Sequence, residues 1–350
     1  MEAFQLAESA APLLAGDSRF ERARAEVSRT ISIDSTPETA EVYFRPYGAD
    51  DNSWRFLART PIRNARVPSV LLEWRVVKPG FAPVEDVGLL APYLTIRASA
   101  PQVTHAYVLD PPGKAPPGMV RVSPRGPQLL AIAGLEHIAL FELGGFWIDR
   151  SEATNRDYKR FVDAGGYGNP RYWTQPFLKE GRTLAWDAAV RQFRDTTGHP
   201  APATWEFGSY PEGRDDEPVG AVSWYEAAAY AEFAGKSLPT IFHWSHVADR
   251  RATSDVLLPR GRYLADGPLP VGRSGARSRY GTCDLAGNVR EWCGNEAGVG
   301  RRYTLGGGWK DPAYYINDAD GRSPWDRGSD FGFRCMKPVP GADRWNKRRF

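Results

Sequence analysis

The chain of 350 residues is longer than one average domain, which favours two domains, and its 42% hydrophobic and 25% charged residues are typical of a globular protein. A net charge of +3 is too small to indicate nucleic-acid binding, and no apolar run is long enough to span a bilayer. Residues 1–17 contain two glutamates and no lysine or arginine, so they do not form a secretory signal, and we expect a cytoplasmic location. Three cysteines, an odd number, argue against a disulfide framework.

The first 28 residues are predicted to be helical. Apolar residues recur in the first half of this segment, and a charged second half follows Gly16-Asp17, where the sequence predicts a break. From Ile31 onward apolar and polar residues alternate, which indicates short strands.

The strand region carries four short sequences in a fixed order, STP, AEVY, RTP and KPGF. This order is similar to that of the PEGA family of small β-sandwich modules, which are not catalytic. The resemblance implies an all-β module over residues 29–100 with a spacer or interaction role.

A proline-rich linker is predicted over residues 101–118, and a larger domain over residues 119–340. Pairs at capping-box spacing, Thr154 with Asp157 and Ser223 with Glu226, predict the starts of two helices. The two predicted helices are residues 155–164 and 224–234, and a third is predicted from 241 to about 250. Loops and short strands are expected after residue 261, and the basic tail, residues 341–350, reads as a solvated end.

The stretch GTCDLAGNVREW, residues 281–292, contains two carboxylates either side of a glycine turn. The side chains of Asp284 and Glu291, with the carbonyl oxygens of Gly287 and Val289, predict an oxygen-only site suited to calcium. Such an ion would be structural. The alternative, that Asp284 caps a turn and Glu291 is a surface carboxylate, stays open.

Several motifs occur in one order along the larger domain. They are FWIDRSEATN (146–155), PVGAVSWYEA (218–227), LPT (238–240), AGNVREW (286–292), GGGW (306–309) and GFRC (332–335). These motifs resemble the formylglycine-generating enzyme family, also called sulfatase-modifying factors, which implies an α+β, loop-rich fold related to the C-type lectins. Gly308 stands where that family more often has serine.

Four further segments are NPRYW (169–173), ATWE (203–206), YPEG (210–213) and FAGKSLPT (233–240). They resemble a bacterial subgroup of the family in which the domain is often fused to a Ser/Thr kinase and a β module. The chain contains no HRD, DFG or strand-lysine motif of a kinase. The resemblance therefore implies a Ser/Thr kinase as a partner of this chain rather than as a part of it.

Enzymes of the family convert a substrate cysteine to formylglycine with copper held by two cysteines. Carried over residue by residue, those positions are Asp311 and Ile316. Copper(I) prefers soft sulfur ligands, so no copper and no formylglycine generation by the known route are expected. The remaining cysteines read as buried, inert thiols; they are Cys283, Cys293 and Cys335.

A second branch of the superfamily, the ergothioneine-synthesis sulfoxide synthases, binds iron through three histidines. His243 and His246 are spaced to share a helix face, and two such residues are able to join a metal site. No third ligand is evident nearby, and structural histidines are the competing interpretation.

The surface after Trp309 mixes aromatic and charged residues, which are the usual anchors of binding. We predict that it holds a peptide, protein or small ligand in the former active-site groove, as a non-catalytic binding or regulatory domain. The alternatives are an oxidoreductase or protein-modifying enzyme with a different metal site, built from His243, His246 or Asp311, and a signalling accessory tied to a kinase. The predicted groove residues are Trp309, Asp311, Tyr314, Tyr315, Asn317, Arg322 and Trp325.

Overall fold

A computed structural model describes residues 1–88, 104–130, 132–135, 137–248 and 257–340. Two compact units make up the chain. The first consists of Met1–Ala115 with Arg279–Gly281, and the second of Pro116–Ser278 with Thr282–Phe350. The predicted basic tail, residues 341–350, lies outside the described residues, as does the end of the predicted β module, residues 89–100.

Two helices begin the first unit, α1 (Glu2–Ala10) and α2 (Ser18–Val27). The break predicted between them is present: Gly16 has a φ of +90°, and the Asp17 side chain accepts hydrogen bonds from the first backbone N–H groups of α2. No residue of either helix is buried.

Seven strands of the first unit lie in the described ranges: β1 Ser28–Thr36, β2 Glu41–Pro46, β3 Arg55–Arg59, β4 Ile62–Pro68, β5 Leu72–Val77, β6 Val84–Gly88 and β7 Thr104–Val108. They form two sheets, with strand orders β4-β1-β7 and β3-β2-β5-β6. β7 pairs with β1 in parallel register. Part of the predicted linker is therefore a strand, because its backbone groups complete the edge of β1.

One hydrophobic core lies within the first unit and takes side chains from both sheets. Ile31 and Ile33 of β1 are buried with Val42 of β2 and Trp74 of β5. Period-2 alternation places these residues on one face of each sheet. The likeness to PEGA modules stays a prediction.

The second unit combines short strands with four helices in the described part of the chain. The strands are β8 Met119–Val122, β9 Arg125–Gln128, β10 Phe141–Leu143, β11 Phe146–Asp149, β12 Phe177–Lys179, β13 Arg182–Leu184, β14 Arg290–Glu296, β15 Arg302–Leu305, β16 Asp320–Arg322, β17 Phe331–Gly332 and β18 Met336–Pro338. The helices are α3 Asn155–Asp163, α4 Trp186–Val190, α5 Trp224–Phe233 and α6 Ile241–Ala248.

Both predicted caps are present. The Thr154 hydroxyl accepts from the Asp157 N–H at the start of α3, and Ser223 forms a full capping box with Glu226 at the start of α5. The third predicted helix corresponds to α6 within the described residues.

Aromatic side chains fill the core of the second unit. Tyr158 and Phe161 of α3 are fully buried and pack against Tyr230 of α5 and against Phe333. Large rings bury much apolar surface per residue, which stabilises a domain rich in loops. Beside this core lies the sheet β16-β15-β14-β17, whose strand β14 carries the residues considered next. None of the helices in the described ranges has the length and apolar character needed to cross a membrane.

Candidate functional site

The turn before β14 is sterically constrained at Gly287. This residue has a φ of +79°, and a Cβ placed on it would lie 2.2 Å from the carbonyl oxygen of Arg262. Asp284 and Asn288 also adopt positive φ values, of 59° and 63°. Only glycine fits the close approach at 287, so the turn that presents Asp284 and Glu291 is specified locally by sequence.

Both carboxylates predicted to bind calcium are buried and already accept hydrogen bonds. Asp284 accepts from the backbone N–H of Gly272 and, at 2.6 Å, from the Ser274 hydroxyl. Glu291 forms a two-pronged ion pair with Arg334, with N–O distances of 2.6 and 2.7 Å, and accepts from the Trp244 indole at 3.0 Å. Asp284 thus bridges a turn, while Glu291 is a core residue.

Glu152 is a third buried carboxylate of this cluster, and sequence reasoning did not identify it. Its Oε1 accepts from the Asn288 amide at 3.3 Å, and its buried Oε2 has no hydrogen-bond partner among the described residues. Burial raises the pKa of Glu152 well above its ordinary value, and the negative charges of Asp284 and Glu291 raise it further, while Arg334 opposes them. The sequence signal was its place in FWIDRSEATN, but a lone glutamate before a helix reads as a capping residue.

Arg334 is the cation at the centre of this cluster and is fully buried. Besides Glu291 it donates to the carbonyl oxygen of Cys283 at 2.9 Å and to that of Arg150 at 3.3 Å. Burial opposes its charge, yet the pKa of Arg334 is raised because Glu291, Glu152 and Asp284 favour the charged form. We call Glu152, Asp284, Glu291 and Arg334 the Glu291 cluster.

The Glu291 cluster contains more carboxylates than cations. Its three carboxylates face one guanidinium, and the Oε2 atom of Glu152 is buried without a partner. A buried negative charge is stabilised either by a proton, which the raised pKa of Glu152 indicates, or by a cation with oxygen ligands.

The family resemblance implies that Asp311 and Ile316 stand at the positions of copper-binding cysteines, and Asp311 contacts Arg290 of β14. Asp311 is buried, and its carboxylate accepts from Arg290 Nη2 at 2.6 Å and from the Gly308 N–H at 2.7 Å. Ile316 is buried within the 3-10 helix Ala313–Asn317. At the two positions where copper binding would need thiolates, the chain therefore has a carboxylate in an ion pair, Asp311, and an aliphatic side chain, Ile316.

Arg290 of β14 contacts aspartates from three different segments of the chain, and sequence reasoning did not identify it. Its guanidinium lies 2.6 Å from Asp311, 3.1 Å from Asp320 and 3.7 Å from Asp330, and its side chain is almost fully buried. It also lies 4.8 Å from the ring centroid of Tyr315. We call Arg290, Asp311, Asp320 and Asp330 the Arg290 cluster.

Most of the predicted groove residues lie beside the Arg290 cluster, but Trp325 does not join it. Arg322 pairs with Asp320 at 2.5 Å, and Tyr314 stacks on Tyr315 with ring centroids 5.0 Å apart. Trp325 instead packs in the aromatic core against Phe193, and its indole donates to the Leu178 carbonyl at 2.7 Å.

Trp309 and Asn317 complete the predicted groove set. Lys310 lies 5.0 Å from the Trp309 ring centroid, and the buried Trp309 Nε1 has no hydrogen-bond partner among the described residues. The backbone carbonyl of Asn317 accepts from the Ala133 N–H at 3.0 Å. Trp309 therefore lies against Lys310, and Asn317 links its 3-10 helix to Ala133.

Both histidines on α6 are buried and make local polar contacts. His243 Nδ1 lies 2.6 Å from the Thr240 hydroxyl, and His246 Nδ1 lies 2.8 Å from the Gln128 side-chain oxygen. Within the described ranges, no three His, Cys, Asp or Glu side chains are grouped so that they could hold a metal ion.

All three cysteines are buried and unpaired. Burial raises the pKa of Cys283 to about 11, helped by the charge of Asp284, and burial raises the pKa values of Cys293 and Cys335 as well. Thiols with raised pKa values carry little reactive thiolate at neutral pH.

Residues 112–339 match the family model described as the sulfatase-modifying factor enzyme 1-like domain. The chain belongs to this family. The match spans every hallmark segment quoted above and confirms the predicted formylglycine-generating-enzyme-like domain, with its mixed helix and strand content.

Curated relatives include enzymes with different names. A formylglycine-generating enzyme from Thermomonospora curvata is 33% identical over 51% of this chain and 69% of its own length. A hercynine oxygenase from Mycolicibacterium smegmatis is 28% identical over 80% of this chain and 63% of its own length. The serine/threonine-protein kinase pkn1 of Chlamydia caviae is 27% identical over 56% of this chain and 34% of its own length. The chain thus spans less than two thirds of the latter two relatives.

Proposed function

We propose that this chain is a non-catalytic binding or regulatory member of its family, which holds a peptide, protein or small ligand in the former active-site groove. One observation carries the proposal: Asp311 and Ile316 stand at the positions of the copper-binding cysteines, and Asp311 is engaged by Arg290 at 2.6 Å. Copper(I) requires soft sulfur ligands, and a carboxylate bound to a guanidinium offers none.

The experiment uses the purified chain, copper and a cysteine-containing peptide. Oxygen consumption and the mass of the peptide are followed, with an active formylglycine-generating enzyme as the positive control. We expect neither turnover nor tight copper binding. Formylglycine produced by the purified chain would overturn the proposal.

A second candidate is an oxidoreductase or protein-modifying enzyme that uses another metal site. The name of one relative, hercynine oxygenase, favours an oxygenase-type reaction. The structure does not favour it, because in the described ranges no three His, Cys, Asp or Glu side chains are grouped so that they could hold a metal ion. Stoichiometric iron or copper in the purified protein, together with oxygen-dependent turnover, would establish this alternative.

We also propose a structural calcium ion held by Asp284, Glu291 and the carbonyl oxygens of Gly287 and Val289, with Glu152 as a neighbouring carboxylate. The support is the buried Oε2 of Glu152, which has no partner among the described residues and faces the charges of Asp284 and Glu291. Carboxylate oxygens are the ligands that calcium prefers. Calcium would hold together the loop at 281–289 and take no part in chemistry.

A Ser/Thr kinase is a candidate partner of the groove. The similarity between this chain and one third of a kinase sequence supports the idea that such domains work together with kinases. Co-purification with kinases produced from neighbouring reading frames tests it: a complex that survives gel filtration supports the proposal, and separate elution of every such kinase contradicts it. The predicted cytoplasmic location stays a prediction.

A further inference from the structure

Aromatic rings and guanidinium groups contact each other on the face that follows Trp309. The rings of Tyr314 and Tyr315 are stacked 5.0 Å apart, and Arg290 lies 4.8 Å from the Tyr315 centroid. Arg290 also lies 5.9 Å from the Phe331 centroid, and Arg322 lies 5.8 Å from the same ring. We call Tyr314, Tyr315, Arg290, Phe331 and Arg322 the ring–cation cluster.

Tyr314 is the exposed end of this cluster. One side of its ring is stacked on Tyr315, while 65% of the residue is exposed to solvent. No hydrogen bond to its hydroxyl group is present among the described residues. An aromatic face that is open to solvent attracts a cation through the ring quadrupole, as Tyr315 and Phe331 do within the cluster.

A second exposed apolar side chain lies beside the same segment. The backbone N–H of Leu264 donates to the carbonyl of Asp311 at 3.1 Å, and that of Ala265 donates to the carbonyl of Trp309 at 2.8 Å. Leu264 is 75% exposed and has a φ of +46°, which is strained for a branched residue. Strain of this kind tends to persist at binding sites.

One unpaired carboxylate lies next to the tyrosine pair. Residues 309–330 contain five aspartates against three basic residues, and Arg290 pairs with three of these aspartates. Asp318 has no hydrogen bond or ion pair of its side chain among the described residues, and its backbone N–H donates to the Tyr315 carbonyl at 3.1 Å. An unpaired carboxylate beside an aromatic face favours a cationic partner and disfavours a polyanion.

We propose that the outer face of Tyr314 binds an arginine or lysine side chain of a basic peptide segment, and that Leu264 contacts an apolar residue next to it. The inference rests on the proposed binding function of this face. It adds the chemistry of the partner, which is cationic and partly apolar.

The test uses a fluorescein-labelled peptide with the sequence Gly-Ser-Gly-Arg-Leu-Arg-Gly-Ser and the full chain at low salt, with binding followed by fluorescence anisotropy. The reference peptide carries citrulline in place of both arginines, which keeps the shape and removes the charge. We expect the citrulline peptide to bind about 5-fold more weakly, because it loses the cation–π and the charge contributions.

Variants locate the contact. Tyr314→Ala is expected to weaken the arginine peptide about 5-fold, while Tyr314→Phe retains binding because a phenyl ring keeps the π face. Asp318→Asn is expected to weaken it about 2-fold and to reduce its salt dependence. Phe207→Ala, which removes another aromatic residue that is 76% exposed, is the matched control and should change nothing.

Three outcomes would overturn the inference: no binding up to about 1 mM peptide, equal binding of the citrulline peptide, or wild-type affinity in Tyr314→Ala. Equal binding of the citrulline peptide would mean an apolar partner. Each outcome leaves the loss of copper chemistry untouched, because that is measured separately with the cysteine peptide.

Discussion

Two adjacent residues of β14, Arg290 and Glu291, belong to two polar clusters that each contain one guanidinium and three carboxylates. In the Arg290 cluster the strand supplies the guanidinium, and three aspartates from other segments surround it. In the Glu291 cluster the strand supplies a carboxylate, and Arg334 is the cation among three carboxylates. Successive residues of a strand point to opposite faces, so one short segment organises both.

The clusters differ in whether their carboxylates are satisfied. Asp311 accepts from both Arg290 and Gly308, and Asp320 pairs with both Arg290 and Arg322. Glu152, by contrast, keeps a buried oxygen without a partner among the described residues. The comparison teaches that equal numbers of charges are satisfied differently: the Arg290 cluster pairs its carboxylates with arginine side chains, whereas the Glu291 cluster leaves one buried carboxylate oxygen without a partner among the described residues.

The largest expected effect is that of Arg334→Ala. Removing this fully buried guanidinium leaves Glu291 buried beside Glu152 and Asp284, and we expect a loss of about 3–5 kcal/mol in the free energy of unfolding. Urea denaturation measures it. Arg191→Ala, which removes an exposed arginine paired with Asp187 on the surface, should cost less than about 0.5 kcal/mol. Equal effects of the two changes would contradict the assignment of Arg334 as the central cation.

Arg290→Met should have the next largest effect. The methionine fills a similar volume but leaves Asp311 and Asp330 without their buried partner, and we expect a loss of about 2–4 kcal/mol by urea denaturation. The double variant Arg290→Met with Asp311→Asn should recover part of this loss, because the amide removes the buried charge. Stability additive over the two single variants would show that the residues do not interact.

Calcium should stabilise the wild-type chain by about 2.7 kcal/mol when its concentration is 100 times the dissociation constant. Thermal unfolding in calcium and in chelator measures the difference. Glu152→Gln should abolish most of the stabilisation, since it removes the carboxylate with the free oxygen. An identical Tm in calcium and chelator would remove the case for an ion at the Glu291 cluster.

In the presence of chelator, comparison of Glu152→Gln with the wild type also predicts how the free energy of unfolding depends on pH. The pKa of Glu152 is raised in the folded chain, so folding takes up a proton and wild-type stability falls as pH rises above the ordinary carboxyl value of about 4.3. Glu152→Gln lacks this loss and should equal or exceed the wild type at neutral pH. A variant less stable than the wild type in chelator at pH 7 would contradict the raised pKa.

The smallest expected effect is in thiol reactivity. The pKa of Cys283 is about 11, so at pH 8 only about 0.1% of it is thiolate, and iodoacetamide should label none of the three cysteines in the folded chain. Mass spectrometry detects the label. Chelator should increase labelling of Cys283 if calcium stabilises its loop, and rapid labelling in calcium would contradict the burial of this thiol.

Local features were predictable from the sequence, and long-range pairs were not. The caps at Thr154 and Ser223 act over three residues, so spacing alone identifies them. The partners of Glu291 and Asp311 are Arg334 and Arg290, and only the folded chain brings them together. Motif likeness directed attention to Asp311 and Ile316, but it did not indicate which side chains contact them.

Trp325 illustrates the same limit. Asp326 and Arg327 follow it directly, which favours a groove residue, but its ring stacks on Phe193. From the sequence alone, a tryptophan in such a segment is equally compatible with ligand binding and with packing in the core. Tertiary packing decides which role it has.

The order of Arg290 and Glu291 also favours one register of β14 against its neighbouring strand. The parallel ladder between β14 and β17 has only two residue pairs, Arg290 with Phe331 and Glu291 with Gly332, so backbone pairing alone specifies it weakly. Shifting β14 by one position would exchange the faces of its side chains and bring a fourth acid among three aspartates on one side, and a second guanidinium beside Arg334 on the other. The order of these two opposite charges therefore disfavours a one-residue shift of β14.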